Sequence, residues 1–261
     1  MRLIIQDTYA QAASWIAQYV AHRINVHTKE KPFVLGLPTG SSPLGIYKEL
    51  ICLYREGKVS FNNVVTFNMD EYIGLHSSHP QSYHTFMHDN FFSSIDIRPE
   101  NINIPNGLAE DVSEECLRYE EQIAKYGGID LFLGGVGEDG HIAFNEPGSS
   151  FQSVTRVKTL TQPTVNANAR FFDDKPGLVP KKAITVGVAT IMQASEVVIM
   201  VNGHRKARAL QQAVEGAVSH MWPITVLQMH PKGIIVCDEE AVSELRVGTY
   251  KYFKDIERVV N

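Results

Sequence analysis

Residues 131–147 read LFLGGVGEDGHIAFNEP. An apolar run, Leu131 to Leu133, empties into a glycine-rich loop that carries Asp139, His141 and Glu146. A buried strand that opens directly into polar residues is what an open parallel sheet presents at its carboxyl edge, where ligands collect. A histidine flanked by two carboxylates suits acid/base chemistry near neutral pH, and the glycines let the backbone approach a small ligand closely. Gly135 to Gly140 spells GxGxxG, yet a dinucleotide site is rejected. Glu138 and Asp139 would put negative charge where a pyrophosphate must lie, Pro147 limits the following helix, and the motif falls mid-chain instead of in a first βαβ unit.

Outward from this stretch, short β-branched or apolar runs recur at PFVLGL, NVVTFN, AITVGV, EVVIMV and GIIVCD, each bounded by turn residues. Between them lie helical stretches at 42–56, 113–126 and 205–216. Ala13, Ile16, Ala17, Val20 and Ile24 mark an amphipathic helix over Thr8 to Ile24. The alternation predicts an α/β, Rossmann-like, doubly wound and mostly parallel sheet with helices on both faces. The 261 residues, 44% of them hydrophobic, are expected to form one domain. The segment from about Thr159 to Lys182, polar and with three prolines, stands outside the pattern. It is either a lid or an ordered surface excursion.

A net charge of −5 without a long basic run argues against a nucleic-acid or anionic-membrane surface, so an anionic ligand must be held by a few local groups. Cys52, Cys116 and Cys237 are far apart, odd in number and form no CxxC pair, so they are expected to be buried, reduced thiols. No apolar run approaches membrane-spanning length and no signal sequence is evident, which predicts a soluble cytoplasmic protein.

Three further strand ends carry polar signatures. After PFVLGL come Thr39, Gly40, Ser41 and Ser42 before a helix, read as a cradle for a single phosphate or as an ordinary N-cap. The Walker spacing is missing, which excludes a nucleoside triphosphate cradle. After EVVIMV comes NGHRK, whose Lys206 either supplies a point charge to that phosphate or is a solvated surface residue. After NVVTFN comes Asp70, read either as a partly desolvated base or as an N-cap for the next segment. His84 and His88 have helical i, i+4 spacing but lack the glutamate of HExxH, so no metal site is expected.

Taken together, LGLPTGSSP, VVTFNMDEYIG, LFLGGVGEDGHIAFNEPGSS, RFFDD, VPKKAITVG and NGHRKA resemble the glucosamine-6-phosphate deaminase family over nearly the whole chain. The resemblance implies conversion of glucosamine 6-phosphate and water to fructose 6-phosphate and ammonia, in amino-sugar catabolism, with no metal or organic cofactor. It implies Asp70 as the base that moves a proton from sugar carbon 2 to carbon 1. His141 becomes the ring-opening acid/base, supported by Asp139 and Glu146. Phosphate falls to Gly40, Ser41, Ser42, Lys206 and Arg170 of the lid segment. Ser149, Ser150, Arg156, Lys158, Thr159 and Tyr252 match members that are hexamers activated by N-acetylglucosamine 6-phosphate at an intersubunit site, so a homo-oligomer is implied. Glu138 departs from the pattern, and either raises the pKa of His141 or faces solvent. Two rivals are a sugar-phosphate lactonase, which needs no carbon-acid base, and a sugar-phosphate sensor, which usually carries a separate DNA-binding segment.

Overall fold

The computed structural model describes residues 1–28 and 30–260. The chain opens with β1 (Arg2–Gln6), α1 (Tyr9–Val26), β2 (Phe33–Leu37), α2 (Leu44–Arg55) and β3 (Val64–Asn68). Next come β4 (Asp70–Tyr72), α3 (Tyr83–Asn90), β5 (Ile102–Asn103), α4 (Val112–Lys125) and β6 (Leu131–Gly135). After the loop that follows β6 lie β7 (Arg156–Thr159), α5 (Gln162–Asn168), β8 (Lys182–Thr185), α6 (Val188–Met192) and β9 (Glu196–Val201). The described chain ends with α7 (Ala207–Glu215), β10 (Gly233–Asp238) and α8 (Val247–Val260).

Seven strands form one sheet in the order β1-β10-β9-β6-β2-β3-β5, with all pairings parallel. From β2 the chain winds outward through β3 to β5. It then returns to β6 on the other side of β2 and winds away through β9 and β10. The strand order therefore reverses between β2 and β6, and at such a point the connections diverge and leave a crevice at the carboxyl edge. The four strand ends singled out in the sequence belong to β9, β6, β2 and β3, which are neighbours around that switch.

Alternation along the strands feeds two cores. Ile234 and Val236 of β10 pack with α1, α2 and α3 residues such as Ile16, Tyr47 and Met87, whereas Ile235 and Cys237 point to the face covered by Tyr119 of α4 and Leu210 of α7. Helices thus cover both faces. α1 runs from Tyr9 with Thr8 as its cap, the Thr8 hydroxyl accepting from the Gln11 amide at 3.2 Å. Among the described residues no helix is long and apolar enough to cross a membrane.

Two expectations need correction. AITVGV is not a strand of the parallel sheet. Its first half is β8, which pairs antiparallel with β4 and β7 in a separate three-stranded sheet, and Val188 opens α6. The break falls at Gly187, where a Cβ would lie 1.9 Å from the Ser153 carbonyl oxygen, so the chain turns where only glycine fits. Of the cysteines, Cys116 and Cys237 are buried but Cys52 is exposed. It lies two residues beyond buried Leu50 on α2, about 200° around the helix and so on its solvent side.

The 159–182 segment is ordered by its own small core. α5 and two short 3₁₀ turns at Ala169–Phe171 and Pro176–Leu178 bury Leu160, Val165, Ala169, Phe172 and Val179 against Tyr72 and Phe144.

Candidate active site

The crevice at the switch point is a cavity of about 1040 Å³ whose walls include Thr39 to Ser42, Asp70, the 135–141 loop, Asn202 to Lys206 and part of the 159–182 segment. One end of it is cationic. Tyr47, fully buried, donates its hydroxyl hydrogen to the Pro38 carbonyl and so ties the loop after β2 to α2. Gly40 takes φ +92°, a left-handed turn that lets the loop double back before the helix. Ser42 Oγ donates to Asn202 Oδ1 at 2.9 Å and accepts from Lys206 Nζ at 2.7 Å, which joins the β2 and β9 loops. Asp238 holds the second loop by accepting from the Gly203 amide at 3.0 and 3.1 Å. Burial, with the neighbouring charge of Arg170 second, lowers the Lys206 ammonium to about 8 against the opposing pull of Glu138 and Asp238. Two cations, Lys206 and Arg170, thus face one cavity with the chemistry to receive an anion.

The loop after β6 builds a different group. Gly137 N donates to the His141 carbonyl and Gly140 N to the Gly137 carbonyl, both at 3.0 Å, which closes the loop tightly. A Cβ on Gly137 would lie 2.1 Å from His141 Cε1, so the imidazole rests in the space that a side chain would take. His141 Nδ1 is 2.6 Å from Asp139 Oδ1, which also accepts the His141 backbone amide at 3.2 Å. Burial pushes the Asp139 carboxyl up, but its hydrogen bond with His141 and the histidine's charge prevail and hold it below the usual range. An ionised Asp139 accepts, so Nδ1 carries the hydrogen and Nε2 is left for a ligand. Ala143 at φ +54° is one of three non-glycine left-handed residues among those described, and the chain beyond it is pinned by Phe144 N donating to Thr185 Oγ1 at 3.1 Å.

Asp70 stands on β4 at the point where the chain has just left the parallel sheet. It is 6% exposed, and burial, with Glu71 beside it second, holds its carboxyl well above the usual carboxylate range. Glu71 itself is occupied. Its oxygens accept from the Tyr72, Tyr83 and His84 amides at 2.8, 3.1 and 3.2 Å, and Oε2 lies 2.9 Å from His84 Nδ1. His88 Nδ1 faces Asp89 at 3.0 Å, so the two histidines have separate partners.

Glu146 does not join the His141 group here. It is buried at 1% exposure, and its Oε1 accepts from Thr161 N at 3.1 Å, from Thr161 Oγ1 at 2.8 Å and from the Thr164 hydroxyl. Its Oε2 lies 3.9 Å from Lys158 Nζ. Two threonine hydroxyls and an amide at the start of α5 outcompete a histidine that already has Asp139, so Glu146 anchors the 159–182 segment. Glu138 is directed outward, 64% exposed at its side chain and 4.0 Å from Arg205. Of the second set, Ser149, Ser150, Arg156, Lys158 and Thr159 lie on β7 and the loop before it. Tyr252 stands on α8, which packs on β1.

Tyr72, Tyr83, Phe144, Phe172, Asn168 and Asn202 also line the cavity. Asn168 Nδ2 donates to the Tyr72 hydroxyl at 2.9 Å, and burial first of all raises the Tyr72 phenol to about 12, which keeps it neutral. The sequence offered one signal for them, the aromatic content of MDEY and RFF at strand and segment ends.

A phosphate-sized cationic pole, a desolvated carboxylate and a carboxylate-oriented histidine around one crevice define an α/β acid/base enzyme for small phosphorylated ligands. The chain belongs to the family of glucosamine-6-phosphate isomerases and 6-phosphogluconolactonases, whose model matches residues 6–236. Within that family its kinship is with the glucosamine-6-phosphate deaminases. It is 66% identical to that of Parabacteroides distasonis over 99% of this chain and 96% of the relative, and 60% identical to that of Borrelia garinii subsp. bavariensis over 99% and 97%. A solved monomeric glucosamine-6-phosphate deaminase is 41% identical, with a TM-score of 0.90, covering 94% of this chain and 100% of that one. The 6-phosphogluconolactonase from Trypanosoma cruzi shares the fold, with a TM-score of 0.73 at 17% identity over 94% of this chain and 96% of its own.

Proposed function

We propose that this protein converts glucosamine 6-phosphate and water to fructose 6-phosphate and ammonia. The observation that carries the reading is Asp70, a buried carboxylate of raised proton affinity in the same cavity as the His141–Asp139 pair. With the phosphate held by the Gly40–Ser42 loop, Lys206 and Arg170, the sugar reaches toward both groups. His141 Nε2 takes the proton of the anomeric hydroxyl and returns one to the ring oxygen, which opens the pyranose. Asp70 then removes the hydrogen at carbon 2. The electron pair moves into the carbon 1–carbon 2 bond as the carbonyl π pair passes to the carbon 1 oxygen, which takes a proton given up by the carbon 2 ammonium, and the enolamine so formed receives at carbon 1 the proton held by Asp70. The resulting iminium at carbon 2 takes up water and expels ammonia. Asp139 keeps the imidazole oriented and balances its charge through the first step.

A lactonase, the nearest alternative, cleaves an ester and has no task for a desolvated base on β4. The test is ammonia release from glucosamine 6-phosphate with fructose 6-phosphate measured in parallel. Equal amounts support the deaminase, and their absence with hydrolysis of a sugar-phosphate lactone replaces it.

The 159–182 segment acts as a lid in this reading, since Arg170 and Asn168 line the cavity while Glu146 fastens the start of α5. A second phosphate site on β7 is favoured by the buried, unpartnered Ser149 hydroxyl and by Arg156, whose guanidinium burial pushes down. It would take N-acetylglucosamine 6-phosphate, with Tyr252 supplied by a neighbouring copy in a hexamer. Substrate kinetics measured with and without that compound, beside the sedimentation mass, test both statements.

A further inference from the structure

The Ser42 end of the loop after β2 is bridged from outside the main cavity by Tyr9. A second cavity, of about 500 Å³, lies behind it, flanked by Ala13, Leu44, Lys48 and Asn202, so the loop is not packed from that side. Across this space reaches Tyr9, the first residue of α1, whose position is fixed by the Thr8 cap. Its hydroxyl donates to the Ser42 carbonyl at 3.0 Å and accepts from the Gly45 amide at 2.8 Å. Pro43, at the cap position of α2, makes no side-chain capping bond, so this early amide of the helix depends on Tyr9. Gly45 is shaped to receive the ring: a Cβ there would lie 2.7 Å from the Tyr9 hydroxyl oxygen and 2.9 Å from Cζ. The Ser42 side chain in turn meets Lys206.

We propose that Tyr9 is a positioning residue for phosphate recognition, setting the Ser42 backbone from outside the cavity so that the serine and Lys206 meet the phosphate together. This rests on the sugar-phosphate reading above. Losing one neutral hydrogen-bonded bridge is expected to weaken phosphate binding and leave the reacting carbons in place.

The test compares the full-length protein with Tyr9→Phe and Gly45→Ala, each checked for an unchanged fold by circular dichroism and melting temperature. Tyr9→Phe is expected to raise KM for glucosamine 6-phosphate and the dissociation constant for inorganic phosphate together, by roughly 3- to 10-fold, with kcat within about twofold. Gly45→Ala, which keeps the hydroxyl but displaces the ring, is expected to move both constants the same way. The proposal is overturned if both constants stay at their wild-type values, or if kcat falls while they do not move, which is the mark of a merely structural role. A wild-type protein that fails to deaminate the sugar yet binds inorganic phosphate more tightly than Tyr9→Phe would refute the reaction and leave the role of Tyr9 standing.

Discussion

The two sheets divide the work of the site between them. The large sheet is parallel and covered by helices on both faces, and its strands β2, β9 and β6 end in the phosphate loop, the Lys206 loop and the histidine loop. Its strands are buried along their length and mostly apolar, so these loops rest on a packed base. The small sheet is antiparallel and three strands wide, and β7 alternates between half-buried and exposed positions. It supplies Asp70 from β4, and its outer strand β7 leads into the 159–182 segment. In the proposed reaction the large sheet therefore supplies the phosphate loops and the ring-opening histidine, and the small sheet supplies the carbon 2 base. Chemistry is placed at the seam, where the chain passes from Asn68 of β3 to Asp70 of β4 across one residue. A base at a seam is desolvated by two layers at once, which accounts for the direction in which the Asp70 carboxyl is shifted.

Substitutions on the two sides of the seam should separate chemistry from binding. The largest effect is expected for Asp70→Asn, which retains shape but cannot take a proton. Deamination should fall by about 10⁴-fold while sugar-phosphate affinity, read by calorimetry, stays within a few-fold. His141→Asn should be milder, about 10²-fold in kcat, since a pyranose also opens unaided in water. Arg170→Ala removes the charge proposed to meet the phosphate from the 159–182 segment and is expected to raise KM by roughly 10- to 100-fold with a smaller change in kcat. Steady-state kinetics on the three variants gives the contrast directly.

Protonation should sharpen it. In the proposed reaction Asp70 acts as the carboxylate, so kcat/KM should fall as pH drops through its raised pKa. In the same proposal Lys206 binds phosphate as the ammonium, so kcat/KM should also fall above about pH 8, where it loses its proton in the free enzyme. A bound phosphate restores its charge, so kcat should hold to higher pH than kcat/KM. Lys206→Arg should remove the alkaline limb, because the guanidinium remains charged throughout. The smallest effect belongs to the Glu146 anchor of the 159–182 segment. Thr164→Val deletes one of the hydrogen bonds to Glu146 and should lower stability by about 1 kcal/mol, a fall of roughly 2–3 °C in Tm by calorimetry.

Much of the large sheet could be read from the chain because its central strands are continuous apolar runs whose ends are marked by glycine or a capping residue. β1 escaped notice because RLIIQ is a short edge strand flanked by polar residues. The small sheet was hidden for a different reason. β4 is three residues long, β7 reads RVKT, and β8 looks like the core strands although it pairs antiparallel with both. Local pattern does not encode which sheet a strand joins. Asp139, His141, Asp70, Ser42 and Lys206 were accessible because each follows an apolar run. The position of Glu146 was not, since it depends on where Thr161 and Thr164 fold back, a contact between segments whose sequence carries no shared period. Tyr9 was equally silent, because its partners are a carbonyl and an amide 33 and 36 residues away.

The central claim, that a buried carboxylate on the small sheet moves the carbon 2 hydrogen, is met most directly by glucosamine 6-phosphate deuterated at carbon 2. Product fructose 6-phosphate is analysed for label at carbon 1 after turnover in ordinary water. Asp70 is 6% exposed, so its captured deuteron should reach carbon 1 in a measurable fraction of turnovers before it exchanges. Complete loss of label to solvent, with Asp70→Asn still turning over at the wild-type rate, would assign the hydrogen transfer to an open base such as His141, whose side chain is 30% exposed, and would contradict the role given to Asp70.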